Sequence, residues 1–519
     1  MFLLVGFFLC LKCISSQTNK CDIITNDSGK PSDARLLSGF NDVLGPIINL
    51  TYYDKGLILG TQSIRVGALR HPGGTVANYW SMQNASYVQP CNTSNYNYCK
   101  WQQRVAALPE QTFSPGNFTR GVGGKSALNT SFSNANTVVF DLNLLTLTQA
   151  EMLNQIDVLK FEIDEDILKY MELGNEYYLN SYAWKFPNST VYMETALPLI
   201  NHIRRELPNA KIAAITQKAF PGANNKFNDG VAGYNDYFDA VTIHDYSCGA
   251  NTVKNMKLSQ QIGVFSIYGN SVIPQYCEYV SKQFGSDKKI WMTEFNSGLG
   301  NNAWNHTTSF QAVHGMFGLS YINGAVCNSN TMEVLMMHLI STEEGTGWGT
   351  YQDLMYNSQY KDDVNNAQYN IVGQIYSHFN YISMDKNNQM FCLKTDNNCP
   401  DLDVHVAGKT LSCLNGMGFN NKYDDNMFGF SLINSCNFTI TVTYNLSNFV
   451  SLKNDVTLGY WEYIWNQYNN GTKFMECNGK QLWECGDAQP NYKTLSIKQS
   501  QSTFNFNINS LSLILAIIL

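Results

Sequence analysis

Two segments of the chain carry a glutamate at the end of a strand-like run. They are Lys169-Tyr170-Met171-Glu172-Leu173-Gly174-Asn175-Glu176 and Lys289-Ile290-Trp291-Met292-Thr293-Glu294-Phe295-Asn296. Each run passes into a stretch rich in Asn, Tyr, Gly or Ser, which reads as a loop. Two carboxylates at the mouths of two strands suit substitution at an anomeric carbon with retained configuration. One donates a proton to the leaving oxygen, and the other attacks carbon from the opposite side of the ring. Such a pair stands about 5–5.5 Å apart. The nucleophile must stay ionised, so it needs donors around it. The acid must keep its proton, so it needs burial or a negative neighbour. Glu176 and Glu294 are the candidates. Glu172 is a rival to Glu176 and reads as a supporting or core-buried carboxylate.

These glutamates need a frame that brings two distant strand ends together. From about residue 36 to 379, short apolar runs alternate with helix-like segments. Strands are expected at 63–69, 137–143, 168–173, 211–216, 240–244, 289–294 and 332–339. Helices are expected at 147–159 and 192–207, from apolar residues at helical spacing. Strand–helix alternation of this length means a parallel sheet. With seven or eight repeats, the expectation is a (β/α)8 TIM barrel over 36–384. Counting 63–69 as the second strand places Glu176 after the fourth and Glu294 on the seventh. After about residue 384 the helical period fades. Runs at 389–394, 402–407, 427–433, 438–446 and 460–468, with turn signals at Asn415-Gly416 and Asn470-Gly471, predict an antiparallel β-sandwich over 385–498. Residues 18–35 are candidates to add a strand to it.

With the strand ends placed, a family resemblance appears. Glu172-Leu173-Gly174-Asn175-Glu176 resembles the acid/base motif of the clan A glycoside hydrolases, in particular the heparanase-like endo-β-glucuronidases. The resemblance implies Glu176 as acid/base and Asn175 as the ligand of a sugar 2-hydroxyl. Trp291-Met292-Thr293-Glu294 resembles the clan's nucleophile strand, which implies Glu294 in that role. Asp239-Ala240-Val241-Thr242-Ile243-His244-Asp245-Tyr246 resembles its sixth strand, with His244 and Tyr246 in matching positions and Asp245 a departure. Leu69-Arg70-His71-Pro72-Gly73-Gly74-Thr75 resembles the second-strand motif of α-L-arabinofuranosidases, which implies Arg70 as the cation supporting Glu294. Trp80, Trp304 and Trp348 could offer indole faces to sugar rings, with Trp348 in the candidate set. Asp141 and Asn143 could bind substrate hydroxyls. His314 and His338 read as ordinary buried histidines.

The chain has 519 residues, 44% apolar and 14% charged, with a net charge of −7, so a large core is affordable and nucleic acid is a poor partner. The apolar run 2–11 followed by Ser15 and Ser16 reads as a secretory signal over 1–17. Eleven Asn-X-Ser/Thr sequons, from Asn26 to Asn470, fit a glycosylated surface. Fourteen cysteines less Cys10 and Cys13 leave twelve, an even number suited to disulfides. Cys91/Cys99, Cys392/Cys399 and Cys477/Cys485 are candidate short loops. No zinc-like spacing appears, so neither metal nor cofactor is expected. The tail 499–519 ends in an apolar run that reads either as a glycolipid-anchor signal or as a terminal strand.

The expectation is a secreted or surface-anchored retaining glycosidase of heparanase-like or arabinofuranosidase type. Its partner would be a polysaccharide or other glycan, with membrane attachment through a C-terminal lipid anchor. It would act outside the cell or, alternatively, in the lysosome. The competing reading is a carbohydrate-binding or adhesion protein that has lost turnover on the same barrel.

Overall fold

The computed structural model describes residues 19–41, 64–83, 86–87, 137–248, 250–253, 255–297, 308–338, 368–369, 371–383, 388–406, 408–421, 428–445, 454–465, 475–476, 491–499, 501 and 503–518. The expected signal segment, Trp304, Trp348, Asn470-Gly471 and the pairs Cys91/Cys99 and Cys477/Cys485 lie outside these residues.

Eight parallel strands close into a barrel. In order they are Gly39–Asn41, Ala68–His71, Val138–Asp141, Tyr170–Glu172, Lys211–Ile215, Ala240–Asp245, Lys289–Phe295 and Met332–His338. The fourth and seventh strands are those that carry the two glutamates. Because side chains alternate along a strand, residues two apart share the inward face. Ala68, Val139, Ala213, Ala240, Trp291 and Val334 form one apolar cluster, with Tyr170 packed against it. Two residues further along their strands come Arg70, Asp141, Glu172 and Thr293, all buried. The barrel is therefore plugged by apolar side chains below and carries a polar layer above, at the C-terminal strand ends where barrel sites form.

The helices that return the chain begin where local chemistry predicts. Thr148 caps Gln149–Glu162 in a reciprocal box, its N–H donating to Glu151 Oε2 at 2.8 Å while Glu151 N–H reaches Thr148 Oγ1. Asn188 caps Ser189–Glu206 by accepting from Val191 N–H. From this helix Tyr192 Oη donates to Leu173 O and accepts from Ile215 N–H, pinning the fourth and fifth strand ends.

The remaining nine-stranded sheet runs in the order Asn491–Ile497, Val456–Ile464, Ser512–Ile518, Phe428–Asn434, Leu414–Asn421, Asn388–Thr395, Lys20–Ser32, Ile440–Asn445 and Thr503–Ile508. Strand Lys20–Ser32 lies parallel to Ile440–Asn445 and antiparallel to Asn388–Thr395. Phe430 packs on Tyr444 at 5.0 Å and on Phe506 at 5.6 Å, although their strands are not neighbours in the order. The sheet therefore folds over on itself around an aromatic core, which makes it a sandwich.

Several sequence expectations are corrected here. Of the run expected at 402–407, the described residues 402–406 form no strand; they belong to an excursion held by the bridges Asp401–Ser412 and Val406–Lys409. Asn415-Gly416 is not a turn but lies inside strand Leu414–Asn421, where a Cβ on Gly416 would come within 2.4 Å of Ser431 O. Cys392 and Cys399 do not pair with each other. Cys399 joins Cys21 on the neighbouring N-terminal strand, and Cys392 joins Cys327 at the end of the barrel helix Thr308–Cys327. A third disulfide joins Cys413 to Cys436. The C-terminal apolar run is a strand, Ser512–Ile518, hydrogen-bonded on both sides, with Leu513, Ile514, Leu515 and Ala516 fully buried.

Barrel and sandwich are fastened together. Besides Cys327–Cys392, Ser266 and Ser435 hydroxyls bond at 3.0 Å and Ser271 Oγ donates to Val406 O at 2.6 Å.

Candidate active site

Arg70 is the hub of the polar layer, and it is fully buried. Its Nε and Nη2 grip both oxygens of Glu172 at 2.6 and 2.9 Å. Nη1 donates to Glu294 Oε1 at 2.6 Å, and Nη2 to Asn175 Oδ1 at 3.0 Å. Nη2 also lies 2.9 Å from Asp141 Oδ2. Burial works against the charge, but Asp141, Glu172 and Glu294 outweigh it and raise the guanidinium above its ordinary range.

Glu294 owes its orientation to a break in the seventh strand. The register shifts between Trp291 and Glu294 against the sixth strand, and between Met292 and Phe295 against the eighth. A bulge of this kind lets consecutive residues face the same side. Thr293 and Glu294 both reach the site, which strict alternation forbids. Tyr246 Oη donates to Glu294 Oε2 at 2.7 Å. Burial alone would raise the acid, but His244, His338, Arg70 and the Tyr246 hydrogen bond bring it down to about 2. Glu294 is thus held as a carboxylate.

Glu176 occupies the left-handed region, at φ 53°, just past the fourth strand. Non-glycine residues adopt that region rarely and at some cost, and they do so most often at functional sites. Gly174, at φ 96°, makes the preceding turn, and a Cβ there would fall 2.3 Å from the Tyr177 ring. Tyr177 is itself tied down, its Oη accepting from Leu144 N–H. Asn78 clamps the intervening backbone, bonding to both N–H and C=O of Asn175.

His244 joins the two glutamates. Its Nδ1 lies 3.0 Å from Glu176 Oε1 and 3.7 Å from Glu294 Oε2, and its Nε2 lies 3.1 Å from Thr293 Oγ1. Thr293 gives its own proton to Glu172 Oε1 at 3.0 Å, so its oxygen must accept from Nε2–H. Burial would strip the ring of charge, but Glu294 and Glu176 raise its pKa. One acceptor atom each of Glu176, His244 and Glu294 lies within 4.8 Å of the others. Oxygens of the two carboxylates thus approach within 4.8 Å of each other.

Of the residues singled out in the sequence, Glu176, Glu294, Asn175, Arg70, His244 and Tyr246 converge here. Asn175 is buried, and its Nδ2 has no partner among the described residues, a donor left over for a ligand. Asn143 does not converge. It is 1% exposed and spends its amide on Trp80 O and Thr146 Oγ1 and its oxygen on the N–H groups of Leu145 and Thr146, so it shapes its own loop. Asp141 is buried against Arg70 rather than presented to substrate; burial and the nearby glutamates push its pKa well up against the pull of Arg70. Trp80 is only 3% exposed and offers no free face. Asp245 points away from its neighbour His244, accepting from Tyr321 Oη and Ser247 N–H. His314 is buried against Phe317. His338 departs from the ordinary-core expectation: it ends the eighth strand 6.0 Å from the Tyr246 ring and helps hold Glu294 ionised. Tyr178 was missed altogether; its Oη donates to Glu176 Oε1 at 3.0 Å.

No family model matches the chain. No curated protein matches it either. Solved structures do match in fold. A family 51 α-L-arabinofuranosidase from Bifidobacterium longum superposes with a TM-score of 0.65 at 11% identity, over 96% of this chain and 99% of its own. A family 51 arabinofuranosidase from Xanthomonas axonopodis pv. citri gives 0.63 at 10% identity, over 96% and 99%. A 4-O-α-L-rhamnosyl-β-D-glucuronidase from Fusarium oxysporum 12S gives 0.59 at 14% identity, over 96% and 100%. At these identities the likeness is one of fold: a (β/α)8 barrel with a β-sandwich, the architecture of these glycoside hydrolases.

Proposed function

We propose that this protein is a retaining glycoside hydrolase with Glu294 as nucleophile and Glu176 as acid/base. The observation that carries the reading is the pair of carboxylates within 4.8 Å, one of them held ionised at about 2. Glu294 attacks the anomeric carbon while Glu176 gives its proton to the departing glycosidic oxygen. Glu176 then takes a proton from water, whose oxygen displaces Glu294 from carbon and frees the sugar. Arg70 and Tyr246 orient the nucleophile, one on each oxygen. The spare amide of Asn175 suits a ring hydroxyl.

The substrate is a glycan, and arabinofuranosidase-type action, as named for two of the structural neighbours, is the first kind to test. The disulfides fit an exported protein. Proton NMR of the sugar first released from an aryl α-L-arabinofuranoside, with an aryl β-glucuronide in parallel, tests both points. Retained configuration from the arabinofuranoside is expected. Inverted product, or cleavage of the glucuronide alone, overturns the corresponding part of the reading.

A further inference from the structure

We propose that Tyr178 is a positioning residue for the acid/base glutamate, fixing the rotation of its carboxyl group. The proposal rests on the assignment of Glu176 as acid/base.

Glu176 Oε1 has two partners, Tyr178 Oη at 3.0 Å and His244 Nδ1 at 3.0 Å. Burial and the adjacent Glu176 push the Tyr178 phenol well above its ordinary range, so it keeps its proton. The Tyr178 hydroxyl therefore anchors Oε1, while Oε2 makes no hydrogen bond within the described residues.

The ring of Tyr178 is placed to do this. It stands edge-on to Phe227 at 6.0 Å, and Phe227 in turn stacks on Tyr192, the residue that pins the fourth and fifth strand ends. The acid/base loop is thereby referenced to the barrel wall through a train of aromatic rings. Glu176, at its left-handed φ, gains a fixed side-chain rotation that its backbone alone does not impose. Glycosylation uses this as follows: the Glu176 O–H bond breaks, its proton passes to the leaving oxygen, and the carbon–oxygen bond breaks as Glu294 bonds to carbon. The Tyr178 hydroxyl donates to Oε1 and stabilises the carboxylate that forms.

The test is leaving-group dependence. A dinitrophenolate departs without a proton, whereas an alkoxide or a simple phenolate needs one. For Tyr178→Phe, kcat/KM for an unactivated aryl or oligosaccharide substrate should fall roughly ten- to a hundredfold, the worth of one hydrogen bond to an ionised group. The value for the dinitrophenyl glycoside should stay within about threefold, which also shows that the variant is folded. Glu176→Gln should show the same signature, larger. If Tyr178→Phe loses both substrates equally, or neither, while Glu176→Gln shows the split, the role given to Tyr178 is wrong and the acid/base assignment stands. If Glu176→Gln shows no split, the assignment itself fails and the proposal falls with it.

Discussion

Replacing Arg70 by Met keeps the stem volume and removes the charge from the centre of the site. The guanidinium makes four hydrogen bonds of 2.6–3.0 Å and a further ion pair, all in fully buried surroundings except for the slightly exposed Glu294. Exposed ion pairs are worth little, but breaking a buried one leaves carboxylates without compensation and costs about 3–5 kcal/mol. For a chain of this size the melting temperature should fall by about 3–7 °C at neutral pH. The sign of the pH dependence distinguishes charge from packing. The penalty belongs to ionised carboxylates, so it is full at pH 7 and shrinks as they take up protons toward about pH 4. The difference in melting temperature between wild type and Arg70→Met, followed by calorimetry or circular dichroism, should therefore narrow on acidification. Turnover should also fall by about a hundredfold or more, since Glu294 loses an orienting donor. A variant that melts within about 1 °C of wild type at pH 7, or a difference that does not change with pH, would refute the hub reasoning.

Other consequences follow from single contacts. Gly174→Ala places a Cβ 2.3 Å from the Tyr177 ring at a φ of 96°, so the acid/base loop must shift; kcat should fall at least tenfold with the melting temperature lowered by a few degrees, measured by kinetics and calorimetry. Ile514→Ala empties a fully buried site in a strand paired on both sides and should cost about 2–5 kcal/mol, read as a lowered denaturation midpoint. Glu294, depressed to about 2, contributes stability above its unfolded pKa near 4.3 and loses it as pH falls through 2. Relative to Glu294→Gln, the wild type should therefore lose on the order of 3 kcal/mol of stability advantage between about pH 5 and pH 2, measured by denaturation at each pH. Equal pH dependence in the two proteins would contradict the ionised nucleophile.

The barrel was legible because its strands are apolar runs separated by helices with readable starts; six of the observed strands fall on expected segments with small shifts at their ends. The first, Gly39–Asn41, was missed because three residues carry no period. The strand expected at 63–69 sits later, at Ala68–His71, so that Arg70 lies within it. Both glutamates were readable from their place at strand ends, but their mutual geometry was not. It depends on the seventh-strand bulge and on the left-handed turn at Glu176, and neither leaves a mark in composition. Tyr178 and His338 act through space across separate loops and strands, and no spacing rule singles them out. Asn143 looked like a ligand for sugar because a polar residue after a strand usually faces a site; here it saturates its own loop. In the sandwich, Asn-Gly misled because that pair marks turns in most chains, whereas here close strand packing is what asks for glycine. The disulfides join residues 378, 65 and 23 positions apart, which short-loop reasoning could not anticipate.

The most direct test traps the covalent intermediate. The protein is treated with a 2-fluoro analogue of its best aryl glycoside, which forms the glycosyl-enzyme and releases it slowly, and the labelled peptide is mapped by mass spectrometry. The account predicts one added sugar, on Glu294, and none in Glu294→Gln. Turnover of the parent substrate without any adduct, or an adduct on Glu176 or Glu172 instead, would contradict it.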